Sequence, residues 1–245
     1  MPEQDRPTVS VVFGGMHGTL RNVAQAFHDA GDKVIIVDKR EAPEDGDTSY
    51  FDHVVAADLM DETVLADVAA RIAACYGHVS NLVFGLRYRG PEEDVWRGET
   101  MLNLTVPHVM IDNLSDAFVD GGAIVLISST AGRRVTPNTS LAYQCTKAAA
   151  DQMVRYYAYH LGPKGIRVNA VSPCYIVKDE SIKFFMANED VSKDAIAAHP
   201  LKRIGRADDI ADMTAFLCSD KATFVTGQII EVDGGLSLPQ PGIPW

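Results

Sequence analysis

With 33 acidic and 22 basic side chains among 245 residues, the chain carries a formal net charge of −11, which argues against binding nucleic acid through a basic surface. The length suits one large α/β domain or two small ones, and 47% hydrophobic against 22% charged residues is an ordinary globular balance with ample material for a core. No run approaches the ~18 consecutive apolar residues of a membrane span.

In chain order, Val9 to Phe13 is predicted as a strand, Leu20 to Ala30 as a helix and Lys33 to Asp38 as a second strand. In that helix Leu20, Val23, Ala24 and Phe27 fall at i, i+3, i+4 and i+7, one buried face, and Gly31 supplies the stop. His53 to Ala57 reads as a strand, and Asp61 to Tyr76 as a helix that opens with acidic residues. Asn81 to Phe84 is the next strand, followed by a long helix from about Val95 to Phe118. Ala123 to Ser128 reads as a strand, Ala142 to His160 as a helix and Arg167 to Val171 as a strand. After an irregular stretch come a helix from Ala207 to Cys218 and a last strand from Gln228 to Val232. Strands apolar on both faces, separated by helices, predict a parallel sheet covered on both sides. Right-handed crossovers then give a doubly wound α/β sheet of about seven strands. No repeat, low-complexity tract or linker interrupts the pattern, so residues 1–245 are predicted to form a single Rossmann-type domain.

Such sheets bind ligands at the carboxyl ends of their strands. After the first strand comes Gly14-Gly15-Met16-His17-Gly18, a turn whose backbone N–H groups can approach a pyrophosphate at the helix start; a tight turn needing positive φ has the same look. The second strand ends in Asp38, whose carboxylate can accept both hydroxyls of an adenosine ribose and would repel a 2′-phosphate, favouring NAD. Lys39 and Arg40 follow and could instead hold that phosphate, so NADP stays open. Asp58 follows the third strand and is a candidate for the adenine end, or a plain polar strand end. After the fifth strand stand Ser128, Ser129 and Thr130, and then Tyr143 and Lys147, which at i and i+4 share one helical face. An ammonium beside a phenol favours the phenolate, which tunes a tyrosine toward proton transfer. The spacing alone is cheap, and a helix with a core aromatic and a rim lysine also has it. Its place, behind a serine-ended strand and a glycine-turn βαβ unit, is what adds weight.

These pieces, with Asn103 in Leu-Asn-Leu-Thr, Ile-Ser-Ser-Thr-Ala-Gly, Gly-Ile-Arg-Val-Asn-Ala-Val-Ser-Pro at 165–173 and Gly-Gln-Ile-Ile-Glu-Val-Asp-Gly-Gly at 227–235, resemble the classical short-chain dehydrogenase/reductase family over essentially the whole length. The resemblance implies hydride transfer between a nicotinamide cofactor and a secondary alcohol or ketone. It makes Tyr143 the general acid/base, with Lys147 favouring the phenolate and holding the nicotinamide ribose. Ser129 would orient the reacting oxygen. Asn103 would bind a water in the proton relay, unless its amide merely satisfies helix backbone. Gly14, His17, Gly18, Asp38, Asp58, Tyr143, Lys147, Pro173 and Ile176 become the cofactor-binding set. The resemblance also implies a homotetramer built on the helices bearing Asn103 and Tyr143 and on the C-terminal strand, with Ala148, Ala149 and Ala150 permitting close approach. Residues 178–200 would be a substrate lid carrying Phe184, Phe185 and Met186, and residues 239–245 a short proline-rich tail.

The departures from the family pattern fall on the cofactor side. Its third glycine is Leu20 here, which is expected to push the helix or the cofactor outward. Its Asn-Asn-Ala-Gly becomes Phe84-Gly85-Leu86-Arg87, its Pro-Gly becomes Pro173-Cys174, and a hydroxyl expected four residues on is Lys178. Basic residues collect after the strands, at Arg87, Arg89, Arg133, Arg134 and Lys178; arginine forks bind carboxylates and phosphates. Arg87 and Arg134 are therefore candidates to hold an anionic small-molecule substrate, with Arg89 and Arg133 expected to face solvent; the alternative is that these cations are solvated or paired with nearby acids. Met1 to Pro7 is polar, and Cys75, Cys145, Cys174 and Cys218 form no CxxC pair, which points to a cytoplasmic protein with reduced thiols. No HExxH or comparable spacing predicts a metal. A same-fold lyase or isomerase, and a non-catalytic cofactor-binding relative, are the rival readings.

Overall fold

A computed structural model of the chain describes residues 6–41, 47–177 and 189–238. Strands Val9–Phe13 (β1), Lys33–Asp38 (β2), His53–Ala56 (β3), Val79–Phe84 (β4), Phe118–Ile127 (β5), Arg167–Pro173 (β6) and Ile229–Val232 (β9) form one sheet. The short strands Ile176–Val177 (β7) and Gly205–Arg206 (β8) pair apart from it. The large sheet is seven-stranded, in the order β3-β2-β1-β4-β5-β6-β9, and every pairing in it is parallel. Every residue of β1 and β4 is buried, as the continuous apolar runs require of strands covered on both faces.

The helices are Thr19–Asp29 (α1), Leu65–Tyr76 (α2), Val95–Thr100 (α3), Val106–Leu114 (α4), Leu141–Leu161 (α5), Glu189–Ala198 (α6) and Ala207–Cys218 (α7). On one face of the sheet, α1 buries its predicted stripe of Leu20, Val23, Ala24 and Phe27 beside Ile210 and Leu217 of α7. On the other face α2, α4 and α5 contribute Ile72, Met110, Ile111, Val154 and Leu161 to a second core. The strand order reverses between β1 and β4, so their connections leave in opposite directions and a crevice opens at their carboxyl ends.

Two local expectations are corrected. The helix from Val95 to Phe118 is divided and shorter: a π-helical turn, Met101–Thr105, separates α3 from α4, and Phe118 already pairs with Val79 as the first residue of β5. Pro107 follows the wide turn and has no N–H to complete a regular ladder, while pairing with β4 takes Phe118 out of the helical period. Ala150 points into the core at 3% exposure, because the helical turn that leaves Ala148 exposed carries Ala150 inward. It is therefore not available to a partner subunit. Phe184, Phe185, Met186 and Lys178 of the expected lid, and the tail 239–245, lie outside the described residues. No helix among the described residues is long and apolar enough to cross a membrane.

Candidate active site

A cleft of about 1300 Å³ opens at the carboxyl ends of the strands. Gly14, His17, Gly18, Asp38, Asp58, Pro173 and Ile176 line it from one side, Ser129, Tyr143 and Lys147 from the other, and Arg87 and Arg134 also face it. Residues separated by up to 162 positions are brought together because they come from the carboxyl ends of several parallel strands, or from the segments just after them.

The side with Tyr143 is built by helix α5. Ser140 caps it by accepting the Tyr143 N–H at 3.1 Å, which satisfies an end group of the first turn. One turn on, Lys147 is 4% exposed and its Nζ lies 5.6 Å from the centre of the Tyr143 ring. Lys147 Nζ donates to the Ile127 carbonyl at 2.7 Å and to Asn103 Oδ1 at 2.6 Å. Burial pulls its pKa down to about 8; the Glu99 carboxylate opposes that fall, the Arg87 charge adds to it, and Asp151 opposes it. The serine loop is tied to the same helix, since Ser128 Oγ and Arg133 Nε both donate to Asp151, at 2.6 and 3.2 Å. Ser129 is 8% exposed and its Oγ accepts the Ala131 N–H at 3.2 Å.

Asn103 does not line the cleft. It sits behind Lys147 on the π-helical turn, 6% exposed, and its Nδ2 donates to both the backbone carbonyl (3.0 Å) and the carboxylate (2.7 Å) of Glu99. The bonding to helix backbone and the bond to Lys147 are thus both present. Glu99 itself was not a sequence candidate. Its only local signal is the i−4 spacing to Asn103, which any glutamate in that helix could share.

The opposite side is the glycine turn. Gly14 and Gly18 have φ of +91° and +59°, and Gly18 caps α1 with no side chain and no acidic residue in the first turn. The start of α1, which has no side-chain cap, opens on a cleft that reaches Asp38 and suits the pyrophosphate and ribose of a dinucleotide. Leu20 stands in the first turn of α1 and is buried. Its side chain, 6% exposed, occupies the space over Gly85, where an added Cβ would stand 2.8 Å from Leu20 Cγ. Two departures from the family pattern thus accommodate each other. At the far end, Asp38 accepts the Arg40 N–H at 3.3 Å, and the Arg40 side chain meets His17 Nε2. Asp58 caps its own turn, accepting the Met60 N–H at 3.0 Å.

The arginines divide differently from expectation. Arg133 is held by Asp151 and by Glu231 at 3.3 Å, so it does not point freely to solvent. Arg134 also pairs with Glu231, at 3.1 Å, and donates to the Ser237 carbonyl at 3.0 Å. Glu231 lies roughly a hundred residues away in sequence, which is why neither pairing was legible. Arg87 is exposed, with its guanidinium carbon 4.8 Å from the Tyr143 ring centre, in cation–π range. Cys174, at the same rim, has Sγ 3.4 Å from Nε2 of the buried His199, and burial pushes its thiol up to about 11.

The family profile described as enoyl-(acyl carrier protein) reductase matches residues 16–237. Protein FixR of Bradyrhizobium diazoefficiens is 30% identical, covering 96% of this chain and 89% of its own length. Cis-4-hydroxycyclohexanecarboxylate dehydrogenase of Sinomonas cyclohexanicum is 32% identical, covering 96% and 98%. The ligand-free aldohexose dehydrogenase of Thermoplasma acidophilum superposes with a TM-score of 0.84 at 28% identity, over 98% of both chains. The chain belongs to the short-chain dehydrogenase/reductase family, whose members are nicotinamide-dependent oxidoreductases.

Proposed function

We propose that this oxidoreductase interconverts a secondary alcohol and its ketone on a small molecule bearing a carboxylate or phosphate, with NAD(H) as the redox partner. The observation that carries the reading is the convergence of Ser129, Tyr143 and Lys147 on one cleft, opposite the glycine turn. A bound nicotinamide supplies the hydride acceptor or donor. In oxidation, Tyr143 Oη takes the proton of the alcohol hydroxyl as the C–H hydride leaves; in reduction it returns that proton to the new alkoxide. Lys147, fixed by Asn103 and the Ile127 carbonyl, places positive charge beside that phenol. The Ser129 hydroxyl donates to the reacting oxygen and keeps it facing Tyr143. Gly14, His17, Gly18, Asp38, Asp58, Pro173 and Ile176 hold the dinucleotide, and the Asp38 carboxylate disfavours a 2′-phosphate.

Arg87 is the group we assign to the substrate anion. Among the paired candidates Arg134 already serves Glu231, whereas Arg87 projects into the cleft over the Tyr143 ring. The relative named for cis-4-hydroxycyclohexanecarboxylate, an alcohol with a carboxylate, supports this substrate class. The test is a screen pairing hydroxy acids and phosphorylated alcohols with neutral analogues, run on the native protein and on Arg87→Ala. A charge-assisted bond contributes about 1.5–3 kcal/mol, so the substitution should reduce the preference for anions tenfold or more. Equal turnover of neutral and anionic compounds, unchanged by the substitution, removes Arg87 from the site.

A further inference from the structure

Glu99 occupies a place that is costly for a carboxylate. It is 3% exposed on α3, and burial pushes its carboxyl up from the usual range while Lys147 and Arg87 hold it down. Its Oε2 accepts Asn103 Nδ2 at 2.7 Å, and Asn103 Oδ1 accepts Lys147 Nζ at 2.6 Å. The three side chains make one buried line from α3 through the π-helical turn to α5.

We infer that Glu99 is a positioning residue, which keeps Lys147 charged and oriented beside Tyr143 against both burial and the like charge of Arg87. The other groups around Lys147 do not meet this need. Asn103 and the Ile127 carbonyl are neutral, so they orient the ammonium without balancing its charge. Tyr143, on the same helix face, presents its ring. Asp151, one turn further along α5, is already engaged by Ser128 and Arg133. Arg87, from the loop after β4, stands where the family resemblance predicts a glycine and adds a second cation. Among the described groups facing Lys147, Glu99 is thus the carboxylate without a competing arginine bond. Removing one member of a buried charge set leaves the rest uncompensated, an effect larger than the lost hydrogen bond alone.

The activity arm of the test rests on the proposed role of Lys147, and the stability arm does not. Glu99→Gln retains an acceptor for Asn103 but removes the charge. A lysine whose folded-state pKa is depressed costs stability below that value, and the cost fades as pH rises from about 8 toward the ordinary 10.5. In the ligand-free protein, Glu99→Gln should therefore lower Tm by about 3 °C at neutral pH, and this deficit should shrink by about pH 9.5, where Lys147 is neutral in both proteins. Arg87→Ala should displace the same curve in the opposite direction, and the double variant should return it toward the native one. With a substrate in hand, the alkaline limb of kcat/KM should move down by about one pH unit in Glu99→Gln and up in Arg87→Ala. A Tm deficit of equal size at both pH values overturns the inference, as do two single variants whose curves move the same way. If Glu99→Gln does not fold, combining it with Lys147→Met, which removes both buried charges, should restore folding, and failure to do so overturns the inference. If the stability curves behave as described and no redox turnover is found, the positioning role stands and the functional reading falls.

Discussion

The two sides of the cleft reach compatible geometry by different routes. On the α5 side the proposed chemistry rests on residue identity: Tyr143, Lys147 and Ser129 match the family pattern and are braced by Ser140, Asp151 and the buried Asn103–Glu99 pair. On the α1 side identity has drifted and packing compensates. A glycine position has become Leu20, and the room it needs is provided at Gly85, where the family has a larger residue. The contrast follows from what each side must supply. Proton transfer needs particular atoms at particular places, whereas a cofactor groove needs shape and backbone donors, which more than one set of side chains can leave open.

The strongest way to break this comparison is to remove the hydroxyl to which the proposed function assigns the proton. Tyr143→Phe should reduce turnover by about 10²–10⁴-fold, with NADH binding measured by fluorescence close to native. A turnover within a few-fold of native would mean that another group moves the proton. On the α1 side, Gly85→Val should drive a side chain into Leu20 and cost about 1–3 kcal/mol of stability. Leu20→Ala in the same background should recover most of that loss in thermal melts. Additive effects of the two substitutions would show that their contact is incidental. Asp38→Ala should shift the NADH over NADPH preference by about tenfold toward NADPH, a charge-assisted contact being at stake; tighter NADPH binding by the unmodified protein would reverse the aspartate argument. Smallest of all, Arg134→Ala should change kcat/KM for an anionic substrate by less than about twofold, since an exposed ion pair with Glu231 contributes little. A tenfold loss there would move the anion site from Arg87 to Arg134.

Much of this molecule was legible from local pattern. Continuous apolar runs of strand length, alternating with helical patterns, announced a parallel sheet, and the i, i+4 spacing placed Tyr143 and Lys147 on one face. Those features depend on neighbours within a few positions, and backbone geometry converts such spacing directly into direction. The site candidates were legible because a parallel sheet brings every strand's carboxyl end to one edge. What needed the tertiary structure were relations between distant segments. Leu20 reads as a disruption until Gly85 is seen facing it, and the partner of Arg133 and Arg134 stays unnamed until Glu231 is seen between them. The helix that pattern extended to Phe118 stops at Leu114, because the pairing of Phe118 with Val79 decides its conformation. Glu99 is the clearest case: as a letter it is an ordinary surface acid, and only burial beside Asn103 and Lys147 makes its charge consequential. Short-range periodicity in the sequence determined the fold, and the candidate chemical residues came from their places after the strands and from the family resemblance. Tertiary structure decided which charges are already paired and which spaces are already filled, since desolvation and steric exclusion act between whatever the fold places in contact.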